Sequence, residues 1–187
     1  AAAVTDAIER LLAGGERFTA LAVQQIADEA GIARSTFYRH FPDKSTLLVE
    51  TASAPMEGMF SIAEAWSEGS FGDREALELA LVELLAVARR HANLLLAVQE
   101  VAAYDEQVGM FWNTVIETGS QSLRDAVAKA REAGAVDADV DPAVATQFAV
   151  WGTERVVLRH LRDAPAEADA KFAKRLSVVF GAALGAG

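Results

Sequence analysis

The sequence has no cysteine. That absence excludes disulfides, thiolate zinc sites and cysteine nucleophiles together, and it fits a protein kept in a reducing cytoplasm. Aromatic residues are also scarce, 7% against 52% hydrophobic residues overall, so Ala, Leu and Val carry much of the apolar share. Such a composition favours helix over strand, and an all-α fold is expected. No apolar run approaches the roughly 18 residues of a membrane span. The best stretches are "LLLAV" at 94–98 and the glycine-broken "VVFGAALGAG" at the end, so no membrane partner is expected. Catalytic equipment is thin as well. His40, His91 and His160 are scattered, no His/Glu pair has metal-binding helical spacing, and no Gly-rich loop follows a strand. Glu117 and Glu154 are candidate buried carboxylates, but Glu154 beside Arg155 reads more simply as half of an ion-pair network. No catalytic residue, metal ligand or cofactor is therefore assigned, and an all-α enzyme is the remote alternative. The opening "AAAVTDAIERLLAGG" has no initiator Met and no basic leader, so it reads as a helix met partway along a longer chain rather than as a signal peptide.

Helix punctuation divides the rest. A first helix with Val4, Ile8, Leu11 and Leu12 stops at Gly14-Gly15. Short helices follow over about Val23 to Ala30 and Arg34 to Phe41, separated by Gly31 and ended by Pro42. A long one starts near Asp43, with a kink or break expected at Pro55 and Gly58. Asp73 caps a helix to about Asn93, Leu94 to Tyr104 forms the next, and a long helix runs from about Glu106 to Gly134. After the loop "AVDADVDPA", Asp141-Pro142 is an N-cap and first-turn signal for a helix through about Leu161. A last helix spans about Ala166 to Leu184, with Phe172, Leu176, Val179, Phe180 and Ala183 at helical spacing. The layout is nine helices, divided into residues 1–48 and 49–187.

Net charge is −10 and unevenly spread. Residues 1–50 hold five Lys/Arg and seven Asp/Glu, leaving twelve and twenty for residues 51–187. Within this acidic chain "GIARSTFYRHFPDKSTLL" gathers Arg34, Arg39, His40 and Lys44 with only Asp43 against them. Two short helical patterns flank "EAGIA", as a helix-turn-helix requires. Phe37 and Phe41 lie one turn apart and pack inward; at 100° per residue Ser35 and Arg39 then point away, with Thr36 and Tyr38 on the flanks. That outer face suits a DNA major groove, where Arg donates twice to guanine and hydroxyls bond base edges or phosphates. Lys44, opening the next helix, is placed for a phosphate. An ordinary solvated helix with two core phenylalanines remains the plain alternative on periodicity alone.

Residues 18–48, "FTALAVQQIADEAGIARSTFYRHFPDKSTLL", resemble the signature of the TetR family of transcriptional repressors. The likeness runs through the Phe-Thr opening, the Ala-Gly-hydrophobic turn, and Thr36, Tyr38, His40, Phe41, Lys44 and Leu47. It implies that Thr36, Tyr38 and Lys44 touch DNA, with Arg34, Ser35, Arg39 and His40 at the same interface, and it implies a TetR-type architecture. Ala33 and Ala22 depart from it, standing where the family often has hydroxyl caps; Ser35 replaces a frequent Gly and His40 a commoner Tyr. So few basic side chains hold DNA against an acidic body only when two subunits act together, which implies a homodimer on a palindromic double-stranded operator.

The remaining residues offer either scaffold or a small-molecule site. "MFWNTVIETGSQSL" sets Phe111, Trp112 and Ile116 near one stripe, "QFAVWGTERVVL" sets Phe148 and Trp151 on another, Met59 and Phe60 follow the proline, and Leu84 lines the fifth helix. Aromatic and Met residues with a few polar neighbours suit a mainly apolar effector, and they equally suit a packed core. "FWNTVIETGSQSL" and "TERVVL" resemble the ligand domain of the ethionamide-resistance repressor subgroup, which implies Trp112 and residues 150–155 as ligand-lining. The last two helices are the family's usual dimer surface; the alternation of Phe172, Leu176 and Phe180 with Ala173, Gly181, Ala182 and Ala183 fits a close interface or, alternatively, a cover for the subunit's own core. The expected protein is a cytoplasmic, ligand-released repressor, with a helix-turn-helix protein lacking a small-molecule effector as the alternative.

Overall fold

The computed structural model describes residues 2–185, and among them every regular element is helical. Ala1, at the start of the first predicted helix, and the last two residues of the glycine-broken C-terminal stretch lie outside the described residues. Ten α-helices occur: α1 Ala2–Ala13, α2 Val23–Glu29, α3 Arg34–His40, α4 Lys44–Gly69, α5 Arg74–Arg90, α6 Ala92–Ala102, α7 Glu106–Gly119, α8 Gln121–Glu132, α9 Pro142–Asp163 and α10 Asp169–Ala183, with a 3-10 turn at Ala166–Ala168. The chain divides into two compact units, residues 1–55 with 91–114 and residues 56–90 with 115–187.

Side-chain caps start the helices where acidic residues permit. Asp43 accepts from the Thr46 amide at 2.7 Å, Asp73 from the Glu75 and Ala76 amides, Asp105 from the Val108 amide at 3.0 Å, and Asp141 from the Val144 amide at 3.0 Å. Glycine closes the first two. Gly15 and Gly31 sit at φ +90° and +67°, which lets the following amides, of Glu16 and Ile32, turn back to Leu11 and Ala27 carbonyls.

Two expectations are corrected. Of the kink or break expected at Pro55 and Gly58, the break does not occur: α4 continues from Lys44 to Gly69 with both residues inside it; the proline ring costs the helix one amide donor there, a loss a long packed helix absorbs. The single helix expected over 106–134 is divided at Ser120. Its amide is shared between the Ile116 and Glu117 carbonyls at 3.1 and 3.2 Å, and its buried hydroxyl donates back to Ile116 O at 2.6 Å, tightening the turn and ending α7. Counting α7 and α8 as one recovers the nine-helix layout. Smaller shifts occur at His91, where α5 has already ended and α6 begins with Ala92.

In the first unit α1 packs on α2 and α6, and α2 on α3. Val4, Ile8, Phe18, Leu21, Ile26, Phe37, Phe41, Leu47, Leu94, Val98 and Val101 are buried there. Ion pairs bind its rim: Arg10 to Glu29 at 2.7 Å, Arg17 to Glu100 at 2.6 Å, and His91 with Glu9 at 2.7 Å. In the second unit α5 packs chiefly on α10, and α9 on α8 and α10. Arg89 gathers the end of α9: it donates to both Asp169 oxygens and to the Leu161 and Ala164 carbonyls, while the His160 ring meets Asp169 at 2.7 Å and stacks on Phe172 at 3.9 Å between centroids.

Candidate nucleic-acid interface

The helix-turn-helix is built by α2 and α3 around the Gly31 turn. Phe37 and Phe41 are fully buried with ring centroids 5.5 Å apart, and Ile26 and Ala27 of α2 are buried in the same unit. Anchoring those two rings fixes the rotation of α3 about its axis, so residues on the opposite side must face solvent. Arg34, Ser35, Arg39 and His40 are exposed, Tyr38 is 43% exposed, and Thr36 is half-buried. All six of these predicted residues therefore come together on one helix.

Two of them are ordered in advance. The Tyr38 ring stands edge-on to Phe37, 5.4 Å between centroids, and the Arg34 guanidinium lies 5.6 Å over the Tyr38 ring with Nη2 3.5 Å from its hydroxyl. A cation over an aromatic face is weakly attracted to it. Arg39 makes no hydrogen bond or ion pair among the described residues, so its guanidinium is free for an acceptor.

Lys44 is engaged differently from the phosphate role expected for it. Its Nζ donates to Leu21 O at 2.6 Å, Phe18 O at 3.1 Å and Thr19 O at 3.4 Å, and lies 5.1 Å from the Phe18 ring centroid. Burial lowers its pKa, since no carboxylate compensates the lost hydration.

Of the residues predicted to line a ligand site, Phe111 and Trp112 belong to the first unit, and Met59, Phe60, Leu84, Ile116, Phe148 and Trp151 to the second. Trp112 and Ile116 are buried; Met59, Phe60, Leu84, Phe111 and Trp151 are half-buried. The Phe60 ring lies so close to Gly119 that a Cβ there would fall 1.9 Å from its Cδ1. Phe148 departs from the expectation: it is 69% exposed, on the outward stripe of α9 with Val144 and Val156, because Ala145, Thr146 and Ala149 take the inward positions. Sequence reasoning missed Asp105, whose Oδ2 accepts from the Ser45 hydroxyl at 2.6 Å while Oδ1 caps α7. Its place just before a helix is a local signal of capping that the reading left unused; nothing local marks a partner sixty residues away.

The fold and this helix-turn-helix define a TetR-type, all-helical architecture. Residues 5–51 match the bacterial regulatory proteins of the tetR family. The fatty acid degradation regulator FadR of Bacillus halodurans shares the fold with a TM-score of 0.78 at 18% identity, over 98% of this chain and 93% of that one. FadR of Bacillus subtilis, solved in complex with stearoyl-CoA, does so at 0.77 and 18% identity over 95% and 96%. The TetR family regulator PfmR of Thermus thermophilus follows at 0.75 and 17% identity over 95% and 96%. No curated protein matches the chain. The matched family and these neighbours are regulators of transcription rather than enzymes. Among the described residues no acidic or histidine cluster could hold a metal ion, and no helix is long and apolar enough to cross a membrane.

Proposed function

We propose that the chain is a TetR-type transcriptional repressor that binds a palindromic operator as a homodimer and is released by a small, largely apolar ligand. The observation that carries this reading is the exposed face of α3, where Arg34, Ser35, Thr36, Tyr38, Arg39 and His40 surround a helix whose opposite side is locked by Phe37 and Phe41. Arg39 and Arg34 suit guanine edges or phosphates, and Ser35, Thr36 and Tyr38 suit phosphate oxygens or bases. Residues 1–48 serve as the DNA-binding module and 49–187 as the effector and dimer part.

Dimerisation falls to α9 and α10, whose outward faces carry Val144, Phe148, Val156, Val178 and Val179, all exposed in the single chain. Water-facing apolar residues aligned on two adjacent helices favour burial against a copy of themselves. Two recognition helices then lie about 34–36 Å apart, one turn of duplex. The effector reading rests on Met59, Phe60, Leu84, Ile116 and Trp151 of the second unit, on the likeness of residues 111–123 and 153–158 to the ethionamide-resistance repressor subgroup, and on the acyl ligand of the Bacillus subtilis FadR. Polar groups of that unit that suit a ligand include the Thr146 hydroxyl, buried with no hydrogen-bond partner among the described residues, and the Glu154 carboxyl, whose pKa burial raises against the opposing Arg155 charge. Ligand binding favours a conformer with α4 displaced and the two recognition helices off operator spacing; a complete switch takes about 5.5 kcal/mol of differential affinity.

Selection of bound duplexes from a random pool tests the central claim. An enriched inverted repeat, bound with an affinity that falls steeply with salt, is the expected result. Recovery of no symmetric site refutes it. Apolar acyl compounds titrated against the bound duplex then test release, and failure of every one to dissociate the complex favours a protein regulated without such an effector.

A further inference from the structure

We propose that Lys44 is a positioning residue that ties the α1–α2 bend to the start of α4 and thereby sets the recognition helix, rather than a contact to the DNA backbone; the inference rests on the regulator reading above.

An ammonium has three donors and no acceptor. Here all three are directed at main-chain oxygens of one bend, Leu21 O, Phe18 O and Thr19 O, and the Phe18 ring closes a further side. This bend leads directly into α2, whose N-cap residue, Ala22, has extended backbone but no side-chain oxygen to accept from the first amides, so the helix start is not fixed by a cap of its own. α3 begins equally bare at Ala33. The helix-turn-helix thus lacks the caps that normally fix where its helices begin.

The shortest of these bonds, Lys44 Nζ to Leu21 O, joins residues 23 apart in sequence and encloses α2, the turn and α3 completely. Only Phe41, Pro42 and Asp43 separate α3 from Lys44, and only Ala22 separates Leu21 from α2. Both ends of the DNA-reading segment are therefore held at one point. A phosphate would have to draw the ammonium away from three carbonyls to gain one oxygen, and would release both ends of the segment it is meant to hold. Half-burial of the group, which disfavours its charge, agrees with a site built for carbonyls.

Lys44→Met and Lys44→Arg separate the two roles. Methionine keeps the stem and removes the donors. Arginine keeps the charge for a phosphate, but its planar fork does not converge on three carbonyls. With both variants folded at low temperature, the expected result is a lower Tm, operator affinity reduced about tenfold in each, and a slope of log affinity against log salt equal to the wild type's. Each lost phosphate contact instead lowers that slope by about 0.9. A shallower slope for Lys44→Met, restored by Lys44→Arg with Tm unchanged, overturns the proposal. So does a lower Tm with full operator affinity, which would make the residue structural only. Should either variant fail to fold, acylation of the wild-type chain decides: Lys44 reacts slowly with or without operator if it is the tether, and is fast alone but protected by operator if it meets a phosphate. A wild type that binds no operator refutes the regulator reading, while the Tm and acylation of Lys44 in free protein still report on the tether.

Discussion

Ala33 has φ −69° and ψ 147°, the backbone of an N-cap without the oxygen that makes one useful. Ala33→Ser supplies that oxygen within reach of the free amides opening α3, and is expected to stabilise the protein by about 1 kcal/mol. Denaturant unfolding at fixed pH measures it, and an unchanged midpoint would show that the first turn is already satisfied. Asp169 offers a second case, because its partners are known individually. The Arg89 hydrogen bonds, aided by His160 and opposed by burial, hold its carboxyl below the usual carboxylate range. A depressed folded pKa means that its stabilisation is present at neutral pH and lost as the pH falls through and below about 4. Asp169→Asn should therefore cost about 2 kcal/mol at pH 7, the range for hydrogen bonds to charged groups, and progressively less in acid. Glu154 has the opposite sign: burial raises its pKa, so its ionised form opposes folding at neutral pH, and Glu154→Gln should raise Tm there with a gain that fades as the pH drops. Such roles were only partly legible. Asp141 was readable because cap and amide are three residues apart; the Arg89–Asp169 pair, eighty apart, was not.

At the scale of elements, helix starts at Asp43, Asp73 and Asp141 were legible because capping is local chemistry, and the Phe37/Phe41 face of α3 was legible because periodicity fixes rotation. What escaped was decided by contacts between distant segments. The division between α7 and α8 depends on the buried Ser120 hydroxyl turning back on its own helix, an arrangement open to any helical serine. Beside it, Gly119 is occupied from outside by Phe60. Gly119→Ala puts a methyl into that ring and should destabilise by about 1–3 kcal/mol through overpacking, despite alanine's better helix propensity. Adding Phe60→Ala removes the obstacle, so the double variant should lose less than the sum of the two single losses. Additive losses in such a cycle would mean that the ring and the glycine do not meet.

For the whole molecule, the charge of −10 per chain turns a weak recognition face into an argument about assembly. The proposed dimer would double the acidic body, but it would also present two arginine-bearing helices to one duplex, and paired contacts raise affinity far beyond either alone. The homodimer proposed above requires a surface low in charge, and the exposed row Val144, Phe148, Val156, Val178 and Val179 of α9 and α10 is the candidate for it. Phe148 was read from sequence as a ligand contact because an aromatic among Trp151 and Gly152 looks like a pocket; only its 69% exposure separates it from the interior. The same exposure makes Phe148→Glu a clean probe. The substitution leaves no cavity, since the side chain is not packed within its own chain, so Tm of the monomeric fold should fall little. Within an apolar isologous interface, however, a carboxylate at this position in both copies would be buried without a partner, which opposes association. Sedimentation should show monomers, operator affinity should fall by at least a hundredfold, and binding to a single half-site should be unaffected. A Phe148→Glu protein that remains dimeric and binds the full operator as tightly as the wild type would place the interface elsewhere on the chain.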